Sequence, residues 1–152
     1  MEKTLRQRAL DLLSRREHTR SELLHKLTPY AADQKELSDL LDDLAERGWQ
    51  SDQRFTEQYI RLRSTKYGMQ RIAQELRQKG ITDSLIREVT AENGNEENNA
   101  YVVAHAQWQR KFGALPTTPQ DRAKQIRFLA ARGFSQTIIQ RILKGDWQDG
   151  DF

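Results

Sequence analysis

Residues 76–81 read LRQKGI, and the same pattern returns as LAERGW at residues 44–49 and as LAARGF at residues 129–134. Each copy places a leucine four residues before a glycine, a basic residue directly before the glycine, and a large apolar residue directly after it. This pattern is typical of a helix that ends in a left-handed glycine turn. Ser51, Thr82 and Ser135 lie just beyond the three copies and can cap a following helix. The recurrence predicts an array of short helices built from a repeated unit.

The apolar residues between these turns recur at helical spacing and predict nine helices. The capping box of Thr19 and Glu22 opens a helix that we expect to bury Leu23, Leu24 and Leu27. Further along the chain, Phe55, Tyr59 and Leu62 predict one face of the fourth helix. The later inward positions are predicted at Met69, Ile72, Ala73, Leu76, Leu85, Ile86, Val89, Tyr101, Ala104, Trp108, Phe112, Ala123, Ile126, Leu129, Ala130, Ile138, Ile139, Ile142 and Leu143.

The nine helices group into three sets of three, because the patterns around Leu27, Leu76 and Leu129 align at a period of roughly fifty residues. The predicted repeats are residues 1–48, 51–93 and 96–145, followed by an acidic tail at 146–152 that holds Trp147 and is expected to be flexible. The expected class is therefore all-α, with three tandem three-helix repeats. An elongated, curved molecule is expected from such stacking.

Composition restricts the function classes. Apolar residues make up 36% of the chain and charged residues 31%, which favours small helical units over one large core. The chain has no cysteine, so a disulfide framework and a thiolate metal site are excluded. It has no apolar run long enough for a membrane span, and its start lacks the apolar stretch of a signal peptide. We expect a soluble, cytoplasmic protein with no membrane partner.

The basic residues are segregated along the chain, although the net charge is only +3. Two basic zones alternate with acidic stretches, which is typical of a surface that binds a polyanion or an acidic protein groove. The residues that we expect to contact a partner lie off the apolar faces and cluster by repeat: Arg63, Lys66, Arg71, Arg77, Lys79, Lys124 and Arg127. A set of solvated helix faces is the alternative interpretation of the same residues.

Two blocks of the sequence resemble the RecX family. The central block runs from Gly48 to Ile81 and includes Lys66, Tyr67 and Gly68, and the opening block runs from Ala9 to Leu27. The chain departs from the family pattern at Met69, where proline is usual, and at Ser51 and Asp52, where two acids are usual. The resemblance implies a regulator that inhibits the RecA recombinase. It implies binding in the groove of the RecA filament on DNA, with less ATP hydrolysis, less strand exchange and less filament extension.

The resemblance carries over no catalytic residue, and we expect no enzyme activity and no cofactor. The expected partners are the RecA filament and, weakly and with strong salt dependence, DNA. The chain itself is expected to be a monomer. An independent DNA-binding protein of helix-turn-helix-like units is the alternative, for which Arg71, Gln74 and Gln78 form the plausible base-reading row.

Enzyme interpretations fail on the residues themselves. The chain has no phosphate-binding glycine loop followed by Lys-Ser or Lys-Thr. Asp39, Asp42 and Asp43 suggest a two-metal nuclease, but they flank buried leucines on the polar side of an amphipathic helix. The aromatic residues Phe55, Tyr59, Trp108 and Phe112 fall at the spacing of core residues. For Phe128, a core position and a base-stacking surface position are both possible. Trp147 is the candidate for an exposed aromatic residue.

Overall fold

The computed structural model describes residues 2–92 and 96–145. Within these ranges the backbone forms nine α-helices, one 3₁₀ turn at Thr28–Tyr30 and no strand, which confirms the all-α prediction. The helices are α1 (Leu5–Arg15), α2 (Arg20–Leu27), α3 (Gln34–Glu46), α4 (Asp52–Arg63), α5 (Met69–Gln78), α6 (Asp83–Glu92), α7 (Glu96–Lys111), α8 (Pro119–Ala131) and α9 (Gln136–Lys144). Residues 93–95, where the second predicted repeat ends and the third begins, and the predicted tail at 146–152, with Trp147, lie outside the described residues.

Two compact units divide the chain. The first contains the described residues of Met1–Gln58 together with Leu76–Val89, and the second contains Tyr59–Glu75 and the described residues of Thr90–Phe152. The division cuts α4, α5 and α6, so the grouping of the helices into three sets of three stays a prediction.

The core of the first unit is a leucine cluster on α1, α2 and α3. Its buried members are Leu5, Ala9, Leu23, Leu27, Leu37, Leu40, Leu41 and Leu44. Polar caps hold the starts of these helices: the hydroxyl of Thr19 accepts the Glu22 amide, as predicted, and the Asp33 carboxylate accepts the Glu36 amide. A further capping box at Thr4 and Gln7 starts α1. These caps fix the helix starts without help from the apolar pattern.

The core of the second unit lies between α7, α8 and α9. Its buried members are Tyr101, Ala104, Trp108, Leu129, Phe134, Ile138, Ile139, Ile142 and Leu143. The indole N–H of Trp108 donates to the Gln125 side chain at 2.8 Å, so the one polar atom of this buried ring has a partner. Phe112 packs at the margin of the cluster, edge-on to Phe128 at 5.4 Å between ring centroids. The predicted core role of Trp108 is confirmed, and Phe128 is half-buried.

Three residues that we predicted to be buried are exposed: Leu24 keeps 47% of its surface exposed, Leu62 keeps 64%, and Ala130 of α8 also faces solvent. In the eight-residue α2, Leu23 and Leu27 define the buried face, and Leu24 lies about 100° away from Leu23 around the helix. In α4, Thr56 and Ile60 occupy the buried face. The prediction from spacing was wrong here because, in a short helix with a narrow apolar face, either of two neighbouring faces can be the buried one.

The three glycine turns have the predicted left-handed backbone, with φ of 73° at Gly48, 85° at Gly80 and 90° at Gly133. Their positions in the predicted sets of three helices differ, because Gly48 follows the third helix of its set, whereas Gly80 and Gly133 follow the second. The recurring pattern therefore marks helix ends of one geometry rather than equivalent points of a single repeat.

Leu76 of α5 is fully buried, so Leu76→Ala should lower the free energy of unfolding by about 2–5 kcal/mol. Urea denaturation followed by circular dichroism measures this loss. Leu62→Ala is the matched control, because the same truncation on the exposed face of α4 should change stability by less than about 0.5 kcal/mol. Equal effects for the two variants would show that the buried face is wrongly assigned.

No helix in the described ranges combines the length and the apolar character that are needed to cross a bilayer.

Candidate nucleic-acid interface

The structure places the seven predicted contact residues in both units. Arg77 and Lys79 belong to the first unit, and the remaining five belong to the second. Within the second unit, only part of the predicted set comes together: Arg63, Lys66 and Arg71 lie near Tyr67, whereas Lys124 and Arg127 lie exposed on α8.

Arg63 and Arg71 converge on one carboxylate and one aromatic ring. Glu75 accepts hydrogen bonds from Arg63 Nη2 at 2.8 Å, from Arg71 Nε at 3.4 Å and from the Tyr59 hydroxyl at 2.8 Å. Both guanidinium groups also lie over the Tyr67 ring, at 4.3 Å for Arg63 and 4.0 Å for Arg71. The Arg63 guanidinium lowers the pKa of Glu75, while burial, together with the Glu75 carboxylate, raises the pKa of Tyr59 to about 12. The positive charge of these two arginines is therefore partly neutralised inside the unit.

Removing the Glu75 charge should release this neutralisation. We expect Glu75→Gln to lower the free energy of unfolding by about 1 kcal/mol and to raise the affinity for a labelled oligo(dT) about threefold or more, because two partly buried guanidinium groups lose their carboxylate. Fluorescence anisotropy at two salt concentrations measures the affinity. Glu57→Gln makes the same charge change on α4 and should leave the affinity unchanged. If the Glu75 variant binds the oligonucleotide with unchanged affinity, Arg63 and Arg71 do not contact the DNA.

A basic cleft of about 460 Å³ lies beside this cluster in the second unit. We use the name basic cleft for the groove lined by Lys66, Tyr67, Gln107, Arg110, Lys111, Phe128 and Arg132. Four of these residues are cations, and among the described residues that line the groove none carries a carboxylate. A concave surface with one sign of charge concentrates the electric field and attracts a polyanion.

The walls of the basic cleft are held by specific contacts. The Gln107 side-chain amide donates to the Lys66 carbonyl at 2.6 Å, which ties α7 to the turn after α4. Arg132 lies over the Phe128 ring at 4.7 Å, and the Lys111 ammonium lies 6.0 Å from the same ring. The aromatic face thus positions two of the cations rather than standing open for base stacking.

The remaining predicted residues have other surroundings. Arg77 pairs with Asp83 at 2.6 Å, and Lys79 Nζ lies 4.0 Å from the Glu22 carboxylate. Lys124 and Arg127 are exposed on α8 and are not among the residues that line the basic cleft. Of the seven predicted contact residues, Lys66 alone lines the basic cleft, and the predicted set does not contain the other three cations of this groove.

The missed cations are Arg110, Lys111 and Arg132. Each of them lies in one of the basic zones of the sequence, but no local pattern distinguishes them from the other basic residues there. Arg110 and Lys111 end α7 two and three residues after the buried Trp108, and Arg132 occupies the basic position before Gly133 in the recurring pattern. All three cations lie at the end of a packed helix, where neighbouring side chains hold a residue in place. This position at a helix end was the sequence feature that could have identified them.

The alternative chemistries receive little support from the geometry. Asp39, Asp42 and Asp43 each pair with a cation, and the described residues contain no cluster of three or more His, Asp or Glu side chains that could hold a metal ion. In the predicted base-reading row, Gln74 and Gln78 are exposed, but the Arg71 guanidinium is engaged by Glu75 and Tyr67.

Comparison with known proteins decides the family. Models of the second and third three-helix domains of RecX match residues 51–89 and 99–143. The Regulatory protein RecX of Chromobacterium violaceum is 45% identical over 150 residues, which cover 99% of this chain and 95% of the relative. The chain belongs to the RecX family. Regulatory protein RecX of Neisseria meningitidis serogroup B is also similar, with 41% identity over 98% of this chain and 95% of the relative.

Solved RecX structures share the fold. A crystal structure of RecX from Lactobacillus salivarius superposes with a TM-score of 0.76 at 22% identity and covers 93% of each chain. A second crystal structure of a regulatory protein RecX gives a TM-score of 0.77 at 24% identity, and it covers 92% of this chain and 71% of that one. Together with the matched three-helix domains, these similarities support the tandem helical architecture. The departures at Ser51, Asp52 and Met69 leave membership of the RecX family unaffected.

Proposed function

We propose that this chain regulates the RecA recombinase by binding RecA filaments on DNA and limiting ATP hydrolysis, strand exchange and filament extension. Membership of the RecX family is the observation that carries this proposal, since the similarity spans 99% of the chain. The proposal includes a cytoplasmic location, where the chain would reach RecA on DNA. In this proposal the chain binds in the filament groove and performs no catalysis.

The basic cleft supplies the chemistry for such a role. Its four cations can contact DNA phosphates or acidic side chains of the filament, and attraction of this kind weakens as salt screens the charges. Arg77, Lys79, Lys124 and Arg127 are proposed as additional contacts along the same partner. A long partner can be engaged at several weak points, and their combined effect exceeds that of any one of them.

Titration of DNA-dependent ATP hydrolysis by RecA tests the proposal. We expect suppression at substoichiometric amounts of the protein, because a bound regulator stops a filament made of many RecA protomers. The double reversal Lys79→Glu and Lys124→Glu should shift the titration to higher protein concentration. Unchanged RecA turnover at saturating wild-type protein would contradict the proposed function.

A further inference from the structure

A glycine turn packs against a helix N-terminus within the first unit. The Thr19 hydroxyl, at the start of α2, donates to the Lys79 carbonyl at 2.7 Å. The next residue, Gly80, lies so close that a Cβ built on it would come within 2.3 Å of the Ser21 Cβ. The left-handed turn therefore presents a carbonyl to the helix start, and a side chain at Gly80 would overlap the Ser21 side chain.

The second unit contains the same arrangement with different residues. The Gly68 amide, at the start of α5, donates to the Arg132 carbonyl at 2.9 Å, and the Gln70 amide donates to the Gly133 carbonyl at 3.2 Å. A Cβ built on Gly133 would lie 2.4 Å from the Arg71 Cβ. We call this arrangement the glycine-turn joint: a basic residue and a glycine that end one helix dock on the first turn of another.

The third glycine turn has the same backbone, but its carbonyls receive a side chain instead of a helix start: Arg54 donates to the Gly48 carbonyl at 2.9 Å and to the Trp49 carbonyl at 3.3 Å. The Trp49 amide donates to the Leu44 carbonyl at 3.0 Å, just as the Ile81 amide donates to Leu76 at 3.0 Å. However, a Cβ built on Gly48 would meet nothing within 4 Å among the residues that the structure describes. Trp49 beside it keeps 45% of its surface exposed. The turn has the shape of the two occupied joints, but no helix of the ranges 2–92 and 96–145 docks on it.

The chain also presents a helix start that resembles the one in the first joint. Helix α2 has threonine at its N-cap and an acid three residues later, and α8 repeats this with Thr118 and Asp121. Thr118 is exposed, whereas its counterpart Thr19 is fully buried under the Gly80 turn. Among the helices in the described ranges whose N-cap is threonine, only α2 and α8 carry an acid at this position.

The charges of the two open surfaces are complementary. In the first joint Lys79, the basic residue before the glycine, lies 4.0 Å from the Glu22 carboxylate of the docked helix. Arg47, the residue before Gly48, corresponds to Lys79, and Asp121 of α8 corresponds to Glu22 of α2. Docking of this turn on α8 would therefore place Arg47 beside Asp121, as Lys79 lies beside Glu22. Arg47 now pairs with Asp43 at 2.9 Å on the surface, and an exposed pair of this kind is exchanged at little cost.

We propose that the turn at Arg47, Gly48 and Trp49 of one copy docks on the N-terminus of α8 in a second copy of this chain. In this third joint the Thr118 hydroxyl donates to the Arg47 carbonyl, and the Arg47 guanidinium pairs with Asp121. The contact is head-to-tail, so each copy retains one open turn and one open helix start, and association continues beyond a dimer. The interface is small, so the chain is monomeric when dilute and associates when copies are concentrated, as on a shared filament.

Sedimentation equilibrium of the protein alone, from about 10 µM to about 1 mM, tests this association. The average mass of the wild-type protein should rise steadily with concentration and pass that of a dimer. Arg47→Asp and Asp121→Arg should each remain monomeric at about 1 mM, since each places like charges across the joint. An equimolar mixture of the two variants restores opposite charges at every contact and should associate as the wild type does. The double variant Arg47→Asp/Asp121→Arg should associate on its own.

Arg87→Asp is the control, because it makes the same charge change on the exposed face of α6 and should leave association intact. Circular dichroism melts confirm that each variant is folded. A wild-type protein that is monomeric throughout would overturn the proposal, as would single variants that associate normally or a mixture that fails to recover. The experiment contains neither RecA nor DNA, so its outcome is independent of the proposed function.

Discussion

Gly133→Ala should lower the free energy of unfolding by about 3 kcal/mol or more, one of the largest effects expected for a single methyl group in this chain. The added Cβ would lie 2.4 Å from the Arg71 Cβ, 2.5 Å from the Arg71 amide nitrogen and 2.8 Å from the Gly68 carbonyl oxygen. Two of these three atoms belong to the backbone, so no side-chain rotation relieves the overlap. Urea denaturation measures the loss, and the amides of Gly68 and Gln70 should lose hydrogen-exchange protection with it.

Gly113→Ala is the matched control. Gly113 lies in the same unit and has φ of 69°, but the closest atom to an added Cβ is the Gln109 carbonyl oxygen at 3.3 Å. Both variants carry the cost of a left-handed alanine, which is about 1 kcal/mol. The excess in Gly133→Ala therefore measures the close approach of the two backbones. Equal losses for the two variants would show that the second glycine-turn joint is looser than the contacts indicate.

Charge reversal of the basic cleft is expected to have the largest effect on function. Arg110→Glu/Lys111→Glu should raise the protein concentration for half-maximal suppression of RecA ATP hydrolysis about tenfold or more, because it replaces attraction with repulsion at two of the four cations. The defect should shrink as salt is added, since screening weakens both the attraction and the repulsion. Both side chains are exposed, so the melting temperature should change little.

Lys124→Glu/Arg127→Glu is the control for this experiment. It changes the charge by the same amount on the same unit, at two exposed positions of α8 that are not among the cleft residues. We expect it to shift the titration less than the cleft variant does. A larger effect of the α8 variant would show that the interface includes Lys124 and Arg127, as predicted from the sequence, rather than the basic cleft.

The recurring pattern predicted more than its local turns. A leucine four residues before the glycine must face inward to end a packed helix, and Leu44, Leu76 and Leu129 are all fully buried. The capping residues Thr19, Asp33 and Ser135 were predictable for a similar reason, because a cap is a contact over three residues. The failures at Leu24 and Leu62 came where two faces of one helix offer similar apolar content, and only the packed neighbours select between them.

The candidate site was less predictable. Charge zones can be counted along the chain, but whether an arginine is available depends on what lies beside it in space. Arg71 donates to Glu75 and lies over the Tyr67 ring, whereas Arg110, Lys111 and Arg132 all line the basic cleft. The pairing of Arg71 with Glu75 follows the four-residue spacing of a helix and was predictable. The basic cleft does not follow from spacing, because it joins residues that are more than sixty positions apart.

By itself, the sequence determined the helices, their caps, the glycine turns and membership of the RecX family, since each of these depends on residues that are close along the chain or on patterns retained in relatives. Only the tertiary structure decided which cations line a common groove and which glycine turns are occupied. The physical reason is that helix formation is governed by contacts within a few residues, whereas electrostatic availability and steric fit are set by whichever distant backbone the fold brings alongside.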